Sequence, residues 1–337
     1  MTSIIYGPPK RIESLAEYVE CVVNKPHNNS PETVELQFFY RGHSNVEYKL
    51  MPSIARYTNS IKAENRLIEL ACNKRPETFN SQEDRLTLLA KMQHYGIPTR
   101  LIDFTLNPLV ALFFACRENK NKDGTVIEIN NHRHFSGSIY PSNQNLLFEE
   151  EWNPDDWEKE NNYIRNYNWA YYSYYFVKNL FSYCIDKVPN NGMTIASLIK
   201  DIEKKEWFSK WSIENNFKHS DEQDKELSIA SLFMAPTIIE TQEKLERQRL
   251  QQGVYLLIPN MVKKNDSGEY MIKKELPELY HDNNGVGQYI IEAKNKKRIV
   301  EELYKIGINE AFLFSDSIDH VCRQIGSSFC LGEEIKA

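Results

Sequence analysis

The run from Met92 to Ala115 constrains this chain more than any other, because it fixes where a helix stops, where extended chain begins and where a second helix starts. Gly96 suits the left-handed position that ends a helix, and Asn107-Pro108 suits the cap and first turn of the next one. Between them lies a short extended segment. It gathers the imidazole of His94, the phenol of Tyr95, the guanidinium of Arg100, the carboxylate of Asp103 and the hydroxyls of Thr99 and Thr105 at the junctions of helices. Side chains placed there can converge without being needed for the core, so the segment reads as the wall of a site.

A second polar cluster follows an alternating run. Val34, Leu36, Phe38 and Tyr40 alternate with Glu35, Gln37 and Phe39, and Arg41-Gly42-His43-Ser44 comes directly after. A period of two predicts a strand with one buried face that ends at Tyr40. Arg41 then sits at the strand end, with Gly42 permitting close backbone approach to a ligand. A guanidinium in that position is a bidentate clamp for phosphate or carboxylate, or equally half of a structural ion pair with Asp103. Arg100 carries the same ambiguity. His94 can titrate near neutrality and Tyr95 can stack on a base or nicotinamide, while a lone histidine is also often a satisfied structural group. Asp103 can orient the imidazole or anchor an arginine, and Thr99 and Thr105 can bind a ribose or phosphate. The shared chemistry predicts that Arg41, His94, Tyr95, Arg100 and Asp103 line one concavity.

Elsewhere, helical apolar spacing covers Ser14 to Lys25, Ile61 to Arg75 and Glu83 to Tyr95, the last opened by Ser81 with Asp84 three residues on. Asp123-Gly124 turns into a strand at Thr125 to Ile129. From about Arg133 the chain turns to Asn- and Ser-rich loops, an acidic run from Glu149 to Glu160, an aromatic helix, and a helical stretch from Thr194 to Trp211. Strand signals resume at Gly253 to Ile258, Tyr270 to Ile272, Gln288 to Glu292 and Ala311 to Phe314, with a charged amphipathic helix from Lys294 to Tyr304. The pattern predicts an α+β fold, a split central sheet of short strands with flanking helices. One α+β domain is expected from residues 1–132 and 236–337, interrupted by a mostly helical insertion at 133–235.

Six scattered cysteines (Cys21, Cys72, Cys116, Cys184, Cys322, Cys330) form no Cys-x-x-Cys pair, which predicts free thiols, a cytoplasmic setting and no structural zinc. No apolar run reaches the length of a membrane span, so no membrane partner is expected. The net charge of -6 argues against a surface-wide nucleic-acid footprint while leaving room for a local basic groove. His132-x-His134 has strand-like alternation but no further ligand nearby in sequence. Phosphate-loop, dinucleotide-turn and serine-elbow motifs do not occur.

Three segments together resemble the FRG domain family, named for its Phe/Tyr-Arg-Gly motif: Phe39 to Ser44, Leu50 to Arg56, and His94 to Asp103. The likeness continues through Arg249 to Tyr255, Lys305 to Ile308, and Leu313-Phe314. The order of features also bears a distant likeness to ADP-ribosyltransferases. Tyr40-Arg41-Gly42 would be their first element, Thr99 to Thr105 the hydroxyl-bearing second strand, and Ala111 to Phe114 the helix with Ala-x-x-Phe spacing. That resemblance implies NAD as substrate and a macromolecular acceptor (nucleic acid or protein), while the resemblance to the FRG family implies a setting in bacterial or phage conflict. It implies Arg41, His94, Asp103 and Gln252 as catalytic, and Tyr40, Arg41, Gly42, His43, Tyr95, Thr99, Arg100 and Thr105 as nucleotide-binding. Where those enzymes carry a late glutamate, this chain reads Arg249-Leu250-Gln251-Gln252-Gly253, so Glu240, Glu246, Glu292 or Asp103 would have to supply the charge. The alternatives are a non-catalytic sensor of a nucleotide or nucleic-acid end, and a protein-interaction domain.

Overall fold

Short β-rich runs separated by amphipathic helices build one mixed sheet and a small second one, the α+β architecture that the patterning predicts. The computed structural model describes residues 8–25, 37–57, 60–130, 172–214, 217, 221–233, 236–239, 245–277 and 287–314. The strands are β1 (Lys10–Ile12), β2 (Phe38–His43), β3 (Leu101–Thr105), β4 (Gly124–Asn130), β5 (Met193–Thr194), β6 (Thr237–Ile239), β7 (Gly253–Leu257), β8 (Val262–Lys264), β9 (Tyr270–Ile272) and β10 (Gly287–Ile291). The larger sheet has seven strands in the order β1-β10-β4-β2-β3-β7-β6, and the smaller has three in the order β5-β9-β8. Among the described residues only β1 and β10 run parallel; the other neighbours are antiparallel.

The larger sheet forks in its middle. β2 pairs with β4 along its whole length from Phe38 to His43, and β3 pairs with β7 from Leu101 to Thr105. Between β2 and β3 the register holds through Tyr40 and Thr105 alone. The chain beyond Tyr40 therefore diverges from β3, and the fork opens beside Arg41 and Asp103.

Helices α1 (Leu15–Val23), α2 (Glu64–Lys74), α3 (Arg85–His94) and α4 (Pro108–Arg117) come from the first part of the chain. Asn107 caps α4 by accepting from the Leu109 and Val110 N–H groups at 3.0 and 3.4 Å, and Gly96 takes a φ of 82° beyond α3. α4 lies on β2 and β4 with almost no space between the backbones. A Cβ built on Gly42 would fall 1.9 Å from the Ala111 carbonyl oxygen, and one on Gly124 would fall 2.2 Å from that of Ala115. Gly42 thus serves helix packing. Buried Lys296 locks the turn after β2 to the end of α4, donating to the carbonyls of Ser44 (2.6 Å), Glu118 (3.2 Å) and Asn119 (3.2 Å).

Later helices are α5 (Tyr172–Lys187), α6 (Ile195–Ile202), α7 (Glu206–Glu214), α8 (Glu222–Ser231), α9 (Glu246–Leu250), α10 (Ala293–Lys305) and α11 (Glu310–Leu313). Leu86, Leu89, Phe181, Ile185, Leu198 and Leu257 share one apolar core, so α5 and α6 pack with α3 and β7. Among the described residues no helix is long and apolar enough to cross a membrane.

Three local expectations change. β2 continues to His43, which puts Arg41 inside the strand. Asp84 caps α3, accepting from Leu86 and Thr87, and Ser81 does not. Ala311 to Phe314 falls in and after a helix, because the Asn309 side chain accepts from the Phe312 N–H at 3.0 Å and starts a helical turn that a short apolar run alone does not reveal. β1, β6, β8 and α9 are too short for periodicity to show. Cys21, Cys72, Cys116 and Cys184 are free thiols; Cys322, Cys330, the acidic run and His132-x-His134 lie outside the described residues.

Candidate functional site

At the fork, on the sheet face that carries α4 on one side and α3 and α9 on the other, lies a cavity of about 240 Å³. Arg41 enters it from β2, His94 from the end of α3, Asp103 and Thr105 from β3, and Tyr255 from β7. The Arg41 guanidinium is held at two points: Nε donates to His43 Nε2 at 2.9 Å, and Nη1 donates to the Asp103 carbonyl. Because His43 accepts through Nε2, its neutral ring carries the proton on Nδ1. The Asp103 carboxylate stands 3.9 Å from Arg41 Nη1 and stays largely exposed, with 65% of its side-chain surface open. The remaining Arg41 nitrogen, Nη2, makes no hydrogen bond among the described residues. This is a preorganised cation with a donor left to offer.

Burial pulls the Arg41 pKa below its ordinary value, Asp103 opposes that, and the nearby charge of Arg56 adds to the lowering. Two arginines close enough to repel favour an anion between or beside them. A further guanidinium, that of Arg247 on α9, lines the cavity and lies 4.5 Å from the centre of the Phe314 ring, which Arg117 also approaches at 4.6 Å. Burial first, and then the charge of Asp103, push the Tyr255 hydroxyl well above the usual phenol range, with Arg247 opposing. Tyr255 is therefore a neutral donor at physiological pH.

Of the residues singled out in sequence, Tyr40, Arg41, Gly42, His94, Asp103 and Thr105 line the cavity. Ala111 and Phe114 of α4 line it as well, and the others do not, each for a visible reason. His43 lies behind Arg41 and orients it. Tyr95 is 59% exposed and packs edge-on against His94 and Phe79. Thr99 is fully buried, its hydroxyl bonded to Gln93 and to the Leu101 N–H. Arg100 is a core residue: it forms a forked pair with buried Glu64 at 2.8 and 2.6 Å and donates to Asn260 at 2.8 Å. Gln252 takes a left-handed φ of 48° and gives its carbonyl to the Leu106 N–H, while its neighbours Gln248 and Gln251 line the cavity in its place. Glu246 and Glu292 are not among the lining residues, and Glu240 lies outside the described set.

Gln93, Arg247, Gln248, Gln251 and Tyr255 line the cavity without having been singled out. The spacing Arg247, Gln248, Gln251 places three polar groups on one helical turn, which was the available signal. Among the described residues no group of three or more His, Cys, Asp or Glu side chains could hold a metal ion.

The family model of the FRG domain matches residues 36–124. The chain carries an FRG domain. The matched span runs from the approach to β2 to the start of β4, so the FRG domain contributes Tyr40, Arg41, His94, Asp103 and Thr105 to the cavity. Arg247, Gln251 and Tyr255 close it from outside that span. No curated protein and no solved structure matches the chain.

Proposed function

We propose that the cavity binds the diphosphate end of NAD through Arg41, and that the FRG domain here works as an ADP-ribosyltransferase-like enzyme on a macromolecular acceptor. The observation that carries this reading is the held guanidinium of Arg41, with Nη2 left unbonded, in a cavity that also presents His94, Asp103 and Arg247. The volume is below the span usual for pockets that enclose a drug-sized ligand, so it fits one half of a dinucleotide with the other half outside.

In the proposed reaction the bond between ribose C1′ and the nicotinamide nitrogen breaks, and the bonding pair leaves with nicotinamide. The cationic ribose carbon then takes an electron pair from the acceptor nucleophile, whose proton is released. Asp103 is the only carboxylate among the lining residues, which makes it the group able to stabilise the developing positive charge. His94 is the lining group suited to take the acceptor's proton.

The ion pair between Asp103 and Arg41 favours a second reading, binding without turnover, since a carboxylate engaged by a guanidinium gives less to a ribosyl cation. Calorimetric titration with NAD, combined with an assay for released nicotinamide in the presence of protein, DNA and RNA acceptors, separates the two. Release supports the enzyme, and binding alone supports the sensor. Absence of binding by folded protein refutes both.

A further inference from the structure

The cavity contains amides whose orientations are fixed from behind. The Thr99 hydroxyl is fully buried and already accepts from the Leu101 N–H at 3.2 Å. Its own proton then needs an acceptor, and the neighbour in reach is the Gln93 side chain, which must turn Oε1 toward it. That leaves Gln93 Nε2, a donor, for the cavity. Gln251 is fixed in the opposite sense. Its Nε2 donates to the Leu313 carbonyl at 3.0 Å, and a carbonyl can only accept, so Oε1 is the atom left over. The Thr105 hydroxyl pins the backbone of Gln251 by donating to its carbonyl at 2.6 Å. Gln93 Nε2 and Gln251 Oε1 make no hydrogen bond among the described residues.

We infer that Gln93 and Gln251 form a specificity pair for a primary carboxamide, with Gln93 Nε2 donating to the ligand's carbonyl oxygen and Gln251 Oε1 accepting from its NH2. One fixed donor and one fixed acceptor on the walls of the same cavity match that group. A carboxylate in the same place keeps the bond to Gln93 and sets an anionic oxygen against Gln251 Oε1. It has no proton to give. This inference rests on the NAD reading and deepens it: the site selects nicotinamide over nicotinic acid as the base.

The test is calorimetric titration of the full chain with NAD and with its nicotinic acid counterpart, in wild type, Gln93→Met and Gln251→Met. Methionine keeps the length of the side chain and removes its amide. Wild type should prefer NAD by about tenfold or more, one hydrogen bond plus one repulsion at the usual conversion. Gln251→Met should narrow that preference chiefly by improving the acid's affinity, and Gln93→Met should weaken both ligands. Equal affinity of wild type for the two ligands overturns the inference and leaves the NAD reading standing. So does an unchanged ratio in folded Gln251→Met, since Asp103 is intact there and would be the source of the discrimination. Failure of wild type to bind either ligand removes the NAD reading and the inference with it.

Discussion

Replacing Arg100 by Met separates a structural arginine from a ligand-binding one. In the folded protein the Arg100 and Glu64 side chains retain 2% and 1% exposure, joined by hydrogen bonds of 2.8 and 2.6 Å, with further bonds to Asn260 and the Ile258 carbonyl. Arg100→Met leaves the Glu64 carboxylate buried without its partner. Breaking a buried pair from one side destabilises by about 3–5 kcal/mol. Glu64→Leu with Arg100→Met removes both charges and leaves mainly the Asn260 carbonyl unmet, for a loss of about 1–3 kcal/mol. Urea unfolding of the three proteins measures this through midpoints at constant slope. Arg100→Met should shift the midpoint furthest and the double variant should recover part of the loss. A single-variant loss under about 1 kcal/mol would refute the assignment. So would loss of nucleotide binding at unchanged stability, which would return Arg100 to the site.

Gly42→Ala should destabilise by at least about 3 kcal/mol, the upper end of overpacking, because the added carbon meets the α4 backbone rather than a side chain that can swing away; thermal unfolding checks this, and a loss under about 1 kcal/mol contradicts it. Burial pushes the thiols of Cys116 and Cys184 up to about 12 from an ordinary 9.0, so both should resist iodoacetamide in the native protein at pH 8 and react once it is unfolded, as read by mass spectrometry. The same shifts have a sign for stability. The folded state keeps protons that the unfolded state gives up, so their contribution is whole below pH 9 and is lost as pH climbs from there toward about 12. A midpoint that rises through that window in wild type but not in Cys116→Ala/Cys184→Ala would contradict it.

The helix-strand-helix path from α3 through β3 to α4 was legible because its signals are local: Gly96 beyond one helix, Asn107-Pro108 opening the next. The convergence of Arg41, His94 and Asp103 was legible for a related reason, since polar groups crowded at element ends must meet each other or a ligand. Arg100, expected at the site among the nucleotide-binding residues, lies in the core instead; its partners Glu64 and Asn260 lie 36 and 160 residues away and nothing local distinguishes a core guanidinium from a ligand clamp. The continuation of β2 through Arg41 to His43 was hidden by the polarity of those residues, which a strand tolerates where the sheet forks and the two side chains satisfy each other. Arg247 and Gln251 reach the cavity only through the pairing of β7 with β3, a contact that no window along the chain contains.

The central claim, that Arg41 at the fork of β2 and β3 holds the anionic part of a nucleotide, is tested most directly by calorimetric titration of NAD into wild type, Arg41→Ala and Arg41→Lys, with urea unfolding of each alongside. Loss of a charge-assisted contact should weaken binding in Arg41→Ala by on the order of 2 kcal/mol, about thirtyfold in Kd, at stability close to wild type. Arg41→Lys should recover little of this, because an ammonium cannot both accept the orientation that His43 and the Asp103 carbonyl impose and present a second donor to the ligand. Equal NAD affinity in wild type and folded Arg41→Ala, or no binding by wild type at all, would contradict the account and leave Arg41 as a structural tie between the two halves of the sheet.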